Sequence, residues 1–261
     1  MIKSRPKTDL KSQRYIVWQG IDYRPALSEM LPTRLLRVLR KGQLVLETGC
    51  NKGQVAVFLA QHGLQVHGID INPHALREAT ALADGLGVER GVHFEVGDFL
   101  TRSWRSRFDA VVMIRFLTCL PLVEDWRTAL ARARAALKPG AIIYVRDFLF
   151  DPANPTYRQR YNLGQSNGWR TGNFLVEQAG QASFVAHHHT DADIDEIERP
   201  YEIVGWRTEW SRSLHGNRCR MFEFIGKKGA QDATVDSGQR QVARASDGRR
   251  PALRGAVSRS F

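Results

Sequence analysis

Cysteine is scarce in this chain: Cys50, Cys119 and Cys219 are the only three in 261 residues, far apart and each in an apolar segment. That scatter argues against a disulfide framework or a zinc knuckle and fits buried, reduced thiols in a cytoplasmic protein. No apolar run approaches the roughly 20 residues that cross a membrane. Residues 1–14 are polar and lack the apolar centre of a secretory signal. Acidic residues are in deficit, with 27 Asp and Glu against 38 Lys and Arg and a net charge of +11. After Gly229, six Arg against three Asp supply only part of that excess, so the body is basic in its own right. A basic body suits an anionic partner, of which RNA is the leading candidate.

The apolar residues that are present fall into alternating strand and helix units. A strand over 43–48 precedes a helix over 53–62, whose Val55, Phe58 and Leu59 share a face. A strand over 65–70 precedes a helix opened by Asn72-Pro73, a cap followed by proline in the first turn. Strands over 92–96, 108–114 and 141–145 follow, with an amphipathic helix over 123–137 that stops at Lys138-Pro139-Gly140. Such units predict a parallel sheet with right-handed crossovers. After Asp147 the pattern changes. Residues 173–177 and 182–188 predict a hairpin around Gln178-Ala179-Gly180-Gln181, and Thr190-Asp191 caps a short acidic helix over 191–198. Two last strands are expected over 201–208 and 218–226. Upstream, Leu31–Leu39 carries leucines at helical spacing, and Trp18 and Tyr23 are candidates to cover a cofactor. Residues 1–40 read as a lead-in, 41–228 as the main domain with an insert at 148–198, and 229–261 as a disordered basic tail.

Residues 45–53 read Val-Leu-Glu-Thr-Gly-Cys-Asn-Lys-Gly, an apolar strand running into a glycine turn at the head of a helix. In α/β proteins this arrangement binds a nucleotide-like cofactor. Asp70 ends the next strand 21 positions after Gly49, where it would face a ribose. The Gly-x-Gly-x-x-Gly of hydride-transfer enzymes is missing; Glu47 precedes the turn and the spacing is Glu-x-Gly-x-x-x-Gly. A carboxylate repels a pyrophosphate and attracts an ammonium group. S-adenosyl-L-methionine carries an amino acid and a sulfonium but no phosphate, so Glu47 favours it and disfavours a nicotinamide dehydrogenase.

On these motifs, with Asp98 and Lys138-Pro139-Gly140 in order and spacing, residues 43–147 resemble a class I S-adenosylmethionine-dependent methyltransferase. The resemblance implies an α/β fold: a doubly wound, seven-stranded, mostly parallel Rossmann-like sheet with one strand reversed near the C-terminal edge. It implies that Glu47 anchors the methionine end and that Gly49 lets the backbone approach. Asp70, with Ile71 beside it, would accept hydrogen bonds from the ribose hydroxyls. Asp98 would accept one from the adenine amino group, Phe99 would pack on that ring, and Ile114 and Arg115 would line the methionine side. Asn51 stands where the family usually has a second glycine. Asparagine tolerates positive φ, so the turn can survive with the Asn51 side chain near the methionine carboxylate.

The acceptor is less legible. There is no Asn/Asp-Pro-Pro-Tyr/Phe run after the fourth strand and no catalytic cysteine pair, which argues against adenine or glutamine N-methylation and against 5-methylpyrimidine formation. Val145-Arg146-Asp147-Phe148, Arg160-Tyr161, Gly172-Asn173-Phe174-Leu175-Val176 and His189-Thr190 are similar in order to the tRNA 3-methylcytidine methyltransferases. That resemblance places Arg146 and Asp147 at the rim of the transfer pocket and lets Arg158 and Arg160 contact phosphates. The plainer reading makes Arg146-Asp147 an ion pair at a strand end. Of His187-His188-His189, only His187 and His189 share a strand face, and no Cys or carboxylate cluster completes a site, so no metal is expected. His188 or His189 is a candidate general base. The leading expectation is an RNA base nitrogen as acceptor. The alternatives are a small metabolite or natural product lidded by the 148–190 insert, or a cofactor-binding regulator without catalysis.

Overall fold

The computed structural model describes residues 31–177, 184–213 and 216–230. Its first half alternates β1 (Leu44–Thr48), α1 (Gln54–Gln61), β2 (Gln65–Asp70), α2 (Pro73–Gly85), β3 (Val92–Val96), β4 (Phe108–Ile114), α3 (Val123–Ala136) and β5 (Leu137–Phe148). Two long strands close the domain, β8 (Tyr201–Arg212) and β9 (Arg218–Lys228). Seven strands form one sheet in the order β3-β2-β1-β4-β5-β9-β8, with β9 antiparallel to both neighbours and the other pairs parallel. The strand order reverses between β1 and β4, which opens a crevice beyond their C-terminal ends.

Alternation in the central strands builds two cores. Leu46, Val111, Met113, Ile143 and Val145 face one side and pack with Trp126, Ala129 and Ala133 of α3. Their neighbours Val45, Ala110, Val112 and Tyr144 face the other side and pack with Val55 and Leu59 of α1. Both faces are covered, which is why β4 reads as a continuous apolar run. The Asn72 side chain accepts from the amides of His74 (3.0 Å) and Ala75 (3.2 Å), fixing the start of α2.

The insert after β5 contains α4 (Pro155–Ser166) and a separate hairpin of β6 (Asn173–Val176) and β7 (Phe184–His187). In the hairpin Asn173 lies opposite His187 and Val176 opposite Phe184. Phe148, Tyr157, Tyr161, Phe174, Val176 and Phe184 form a third apolar cluster here. Next comes α5 (Asp191–Glu198), whose Thr190 and Asp193 make a reciprocal capping box. The hairpin turn at 178–181, Trp18, Tyr23 and residues 231–261 lie outside the described residues.

Two expectations need correction. Leu31–Leu39 holds only a 3₁₀ turn, Leu35–Arg37, because of its four leucines only Leu35 and Leu39 reach buried sites and no continuous apolar face is docked. Lys138-Pro139-Gly140 lies inside β5 instead of preceding it. The β4–β5 register shifts between Phe108 and Ala110, which accommodates a residue without an N–H, and Gly140 takes φ +74°. Helix α4 was not anticipated at all. Among the described residues no helix is long and apolar enough to cross a membrane.

Candidate functional site

A cavity occupies the crevice beyond β1, β2, β3 and β4, and all nine residues predicted for the cofactor line it. Glu47 closes β1 and is buried, yet its Oε2 has no hydrogen-bond partner among the described residues. Burial first, and then the neighbouring Asp70, push its carboxyl pKa well above the usual range. Gly49 has φ +64°, and a Cβ there would come within 2.8 Å of the Phe116 ring. Asn51 adopts φ +46°, so asparagine does take the left-handed position where glycine was expected. Its Oδ1 is also buried without a partner among the described residues.

Asp70 staples this turn to β2. Its Oδ2 accepts the amide of Asn51 and its Oδ1 the amide of Asn72, both at 2.8 Å. Burial raises the Asp70 pKa while those amides oppose the rise. Each carboxylate oxygen keeps a second lone pair for a further donor. Ile71 adjoins it on the wall. After β3, Asp98 Oδ1 accepts the Leu100 amide at 2.8 Å, and Phe99 meets Phe116 edge-on at 5.7 Å. Ile114 ends β4, and Arg115 follows with φ +52°. The Arg115 guanidinium lies over the Phe148 ring and donates to Ser211 Oγ (3.2 Å) and the Arg212 carbonyl (3.1 Å), tying β4 to β8.

Two orphaned oxygens, Glu47 Oε2 and Asn51 Oδ1, are the observation that tests the cofactor. Buried acceptors without donors are costly, and a ligand ammonium would satisfy both. A pyrophosphate would leave them unpaired and add repulsion. The donor set therefore fits S-adenosylmethionine.

Beyond Phe116 the cavity continues between Phe148, Tyr157, Phe174, Val176, Phe184 and Ala186, a wall supplied by β5, α4, β6 and β7. Only a few polar groups interrupt it, Arg160 and His188 among them. The His188 ring stacks on Phe148 (5.1 Å) and meets Phe174 edge-on (4.6 Å). Its Nδ1 lies 2.7 Å from the Tyr161 hydroxyl. One of the two ring nitrogens is thereby taken by Tyr161 and is not open to an acceptor substrate. Burial, and then His187, His189 and Arg160, hold its pKa well below 6.5, so the ring is neutral.

Arg146 and Asp147 do not line the cavity, contrary to the expectation of a rim position. Arg146 is buried and its Nε donates to Glu209 at 2.6 Å, beside Glu223, which binds Tyr144, Arg207 and Arg34 across the sheet. Asp147 is wholly buried; it accepts the amides of Thr118 (3.0 Å) and Phe148 (2.8 Å) and so pins the turn Leu117–Cys119 that walls the cavity. His189 lies 3.5 Å from Asp147. The carboxylate that the histidine run lacks in sequence comes from α5: His187, His189 and Asp193 converge within 4.8 Å. Asp193 Oδ2 already receives Thr190 N and Oγ1 at 2.8 Å and His187 Nε2 at 3.1 Å, and Asp193 also pairs with Arg170. Asp193 and His187 are thus engaged around the helix cap, whereas both ring nitrogens of His189 are buried without a hydrogen-bond partner among the described residues. The aromatic wall and Arg160 as its cation went unrecognised in sequence; Asn154-Pro155, the same cap signature as Asn72-Pro73, was the signal for α4.

Comparison with known proteins agrees with this geometry. Residues 46–143 match the family model described as a methyltransferase domain. A solved SAM-dependent methyltransferase of Methanosarcina mazei is 29% identical with TM-score 0.72, covering 77% of this chain and all of that one. Sterol 24-C-methyltransferase erg6 of Aspergillus fumigatus is 28% identical over 229 residues, 76% of this chain and 59% of that one. Norajmaline N-methyltransferase of Rauvolfia serpentina is 29% identical over 119 residues, 45% of this chain and 40% of that one. The chain spans about half the length of the curated relatives it matches. Sequence match, sheet order and site geometry agree on a methyltransferase domain with a Rossmann-like sheet and a site for S-adenosylmethionine.

Proposed function

We propose that the protein transfers the methyl group of S-adenosylmethionine to a small, largely apolar acceptor. The observation that carries this reading is the aromatic far end of the cavity, walled by Phe148, Tyr157, Phe174 and Phe184. Such a wall gains by burying a flat apolar body and gives a charged nucleic-acid backbone little to pair with. Arg158, one of two cations assigned to phosphates, donates instead to the carbonyls of Pro152 and Ala153 in its own loop. Norajmaline and a sterol, the acceptors in the names of two relatives, are small molecules and not RNA.

When bound, the cofactor supplies a methyl group on a sulfonium, open to in-line displacement. Glu47 and Asn51 would hold the amino-acid end, Asp70 the ribose, and Asp98 with Phe99 the adenine. The turn Leu117–Cys119, pinned by Asp147, would set the distance between donor and acceptor, on which the rate of such a displacement depends.

Labelled methyl transfer tests the reading, with total RNA and a small-molecule extract offered in parallel. Label in the organic-soluble fraction is expected. Label in RNA overturns the acceptor, and cofactor binding with transfer to neither turns the protein into a regulator. Calorimetry should show binding of S-adenosylmethionine and not of NAD, weakened at least about tenfold by Asp70→Ala.

A further inference from the structure

Resting on the reading of a small apolar acceptor, we propose that this acceptor carries an anionic oxygen group, a carboxylate or an ionised hydroxyl, held by Arg160 and His188. Arg160 projects from α4 into the wall of the acceptor end and is only partly exposed. Five other arginines of the domain are engaged: Arg115 with Ser211 and Arg212, Arg127 with Glu196, Arg146 with Glu209, Arg170 with Asp193, Arg207 with Glu223. Arg160 has no carboxylate within ion-pair distance and no hydrogen bond among the described residues; its neighbour is the Tyr157 ring, 5.8 Å from the guanidinium carbon.

A cation set in an apolar wall without a counter-ion is unfavourable unless a ligand supplies one. His188 works in the same sense. Its Nδ1 is taken by Tyr161, and as the tautomer protonated on Nε2 the ring would donate to the same oxyanion. Arg160 is near enough to both His188 and Tyr157 to act on them electrostatically. The ligand that satisfies this end is thus a flat apolar body, suited to Phe148 and Phe174, with an oxyanion directed at the guanidinium.

The test uses the full chain saturated with S-adenosylhomocysteine and two matched probes, 2-naphthoate and its neutral carboxamide. Calorimetry should show the carboxylate binding about tenfold or more tightly than the amide. Arg160→Gln should abolish that difference and leave carboxamide affinity unchanged, whereas Arg160→Lys should keep part of it. Unchanged S-adenosylhomocysteine affinity in both variants reports an intact fold. Equal binding of the two probes to the unmodified protein, equal loss of both in Arg160→Gln, or binding of neither overturns the proposal. So does a single-stranded oligoribonucleotide that binds through Arg160 more tightly than 2-naphthoate. Equal probe binding with methyl label still in the organic fraction would remove the oxyanion and keep the proposed function. Label in RNA removes the function itself.

Discussion

Glu47 shows how one residue links burial to ligand chemistry. Its carboxyl is pushed up first by burial and then by Asp70, so the ligand-free protein holds a proton there at a pH where an exposed glutamate would not. An ammonium beside it favours the ionised form. Binding therefore releases that proton, and affinity rises with pH until the pH passes the raised pKa. Calorimetry of S-adenosylmethionine near pH 6 and pH 8, in buffers of different ionisation heat, should show a buffer-dependent enthalpy at the lower pH. Glu47→Gln should abolish that dependence and weaken binding by about tenfold to a hundredfold, the worth of a charge-assisted hydrogen bond. A buffer-independent enthalpy in the unmodified protein would refute the assignment.

At the scale of elements, α4 is the part that decides the acceptor, and its packing turns on Gly164. A Cβ at that position would lie 2.3 Å from the carbonyl oxygen of Asn173 in β6, a backbone atom with no freedom to swing aside. Alanine would gain about 1 kcal/mol of helix propensity. Overpacking against a fixed backbone costs about 1–3 kcal/mol, so the net effect of Gly164→Ala is destabilising. Urea unfolding should show the loss. S-adenosylhomocysteine should bind Gly164→Ala as before, since its site is built on β1, β2 and β3, while naphthoate binding should fall. Helix α4 also marks where the sequence becomes hard to read. The glycine turn, Asp70 and the buried strands were legible because each is set by local spacing and by a side-chain period. Helix α4 has no broad apolar stripe: Tyr157, Tyr161 and Gly164 face inward and Leu163 is largely exposed. The resemblance put Arg146 and Asp147 at the pocket rim, and their partners Glu209 and Thr118, 63 and 29 positions away, are not visible from local sequence. Asp193 beside His187 and His189 was hidden for the same reason, since it depends on how α5 docks against the hairpin.

At the scale of the whole molecule, a net charge of +11 meets a buried histidine that resists protonation. His188 is caged by Phe148, Tyr157, Tyr161 and Phe174, with Arg160, His187 and His189 nearby. Burial leads in lowering its pKa from 6.5, so below that pH the unfolded chain takes up a proton that the folded chain refuses. Stability is then highest above about pH 6.5 and falls as the pH drops below it, by up to about 1.4 kcal/mol per pH unit from this residue. Self-repulsion in an already cationic chain acts in the same direction, because every histidine that does titrate adds positive charge. The two contributions separate by substitution. His188→Phe keeps an aromatic ring in the cage and removes the titration, at the cost of the Tyr161 hydrogen bond. It should unfold at a lower temperature at pH 8, yet lose less further stability between pH 7 and pH 5 than the unmodified protein. Thermal unfolding across that range measures both slopes, and parallel slopes would mean that His188 takes up its proton in the folded state as readily as in the unfolded one.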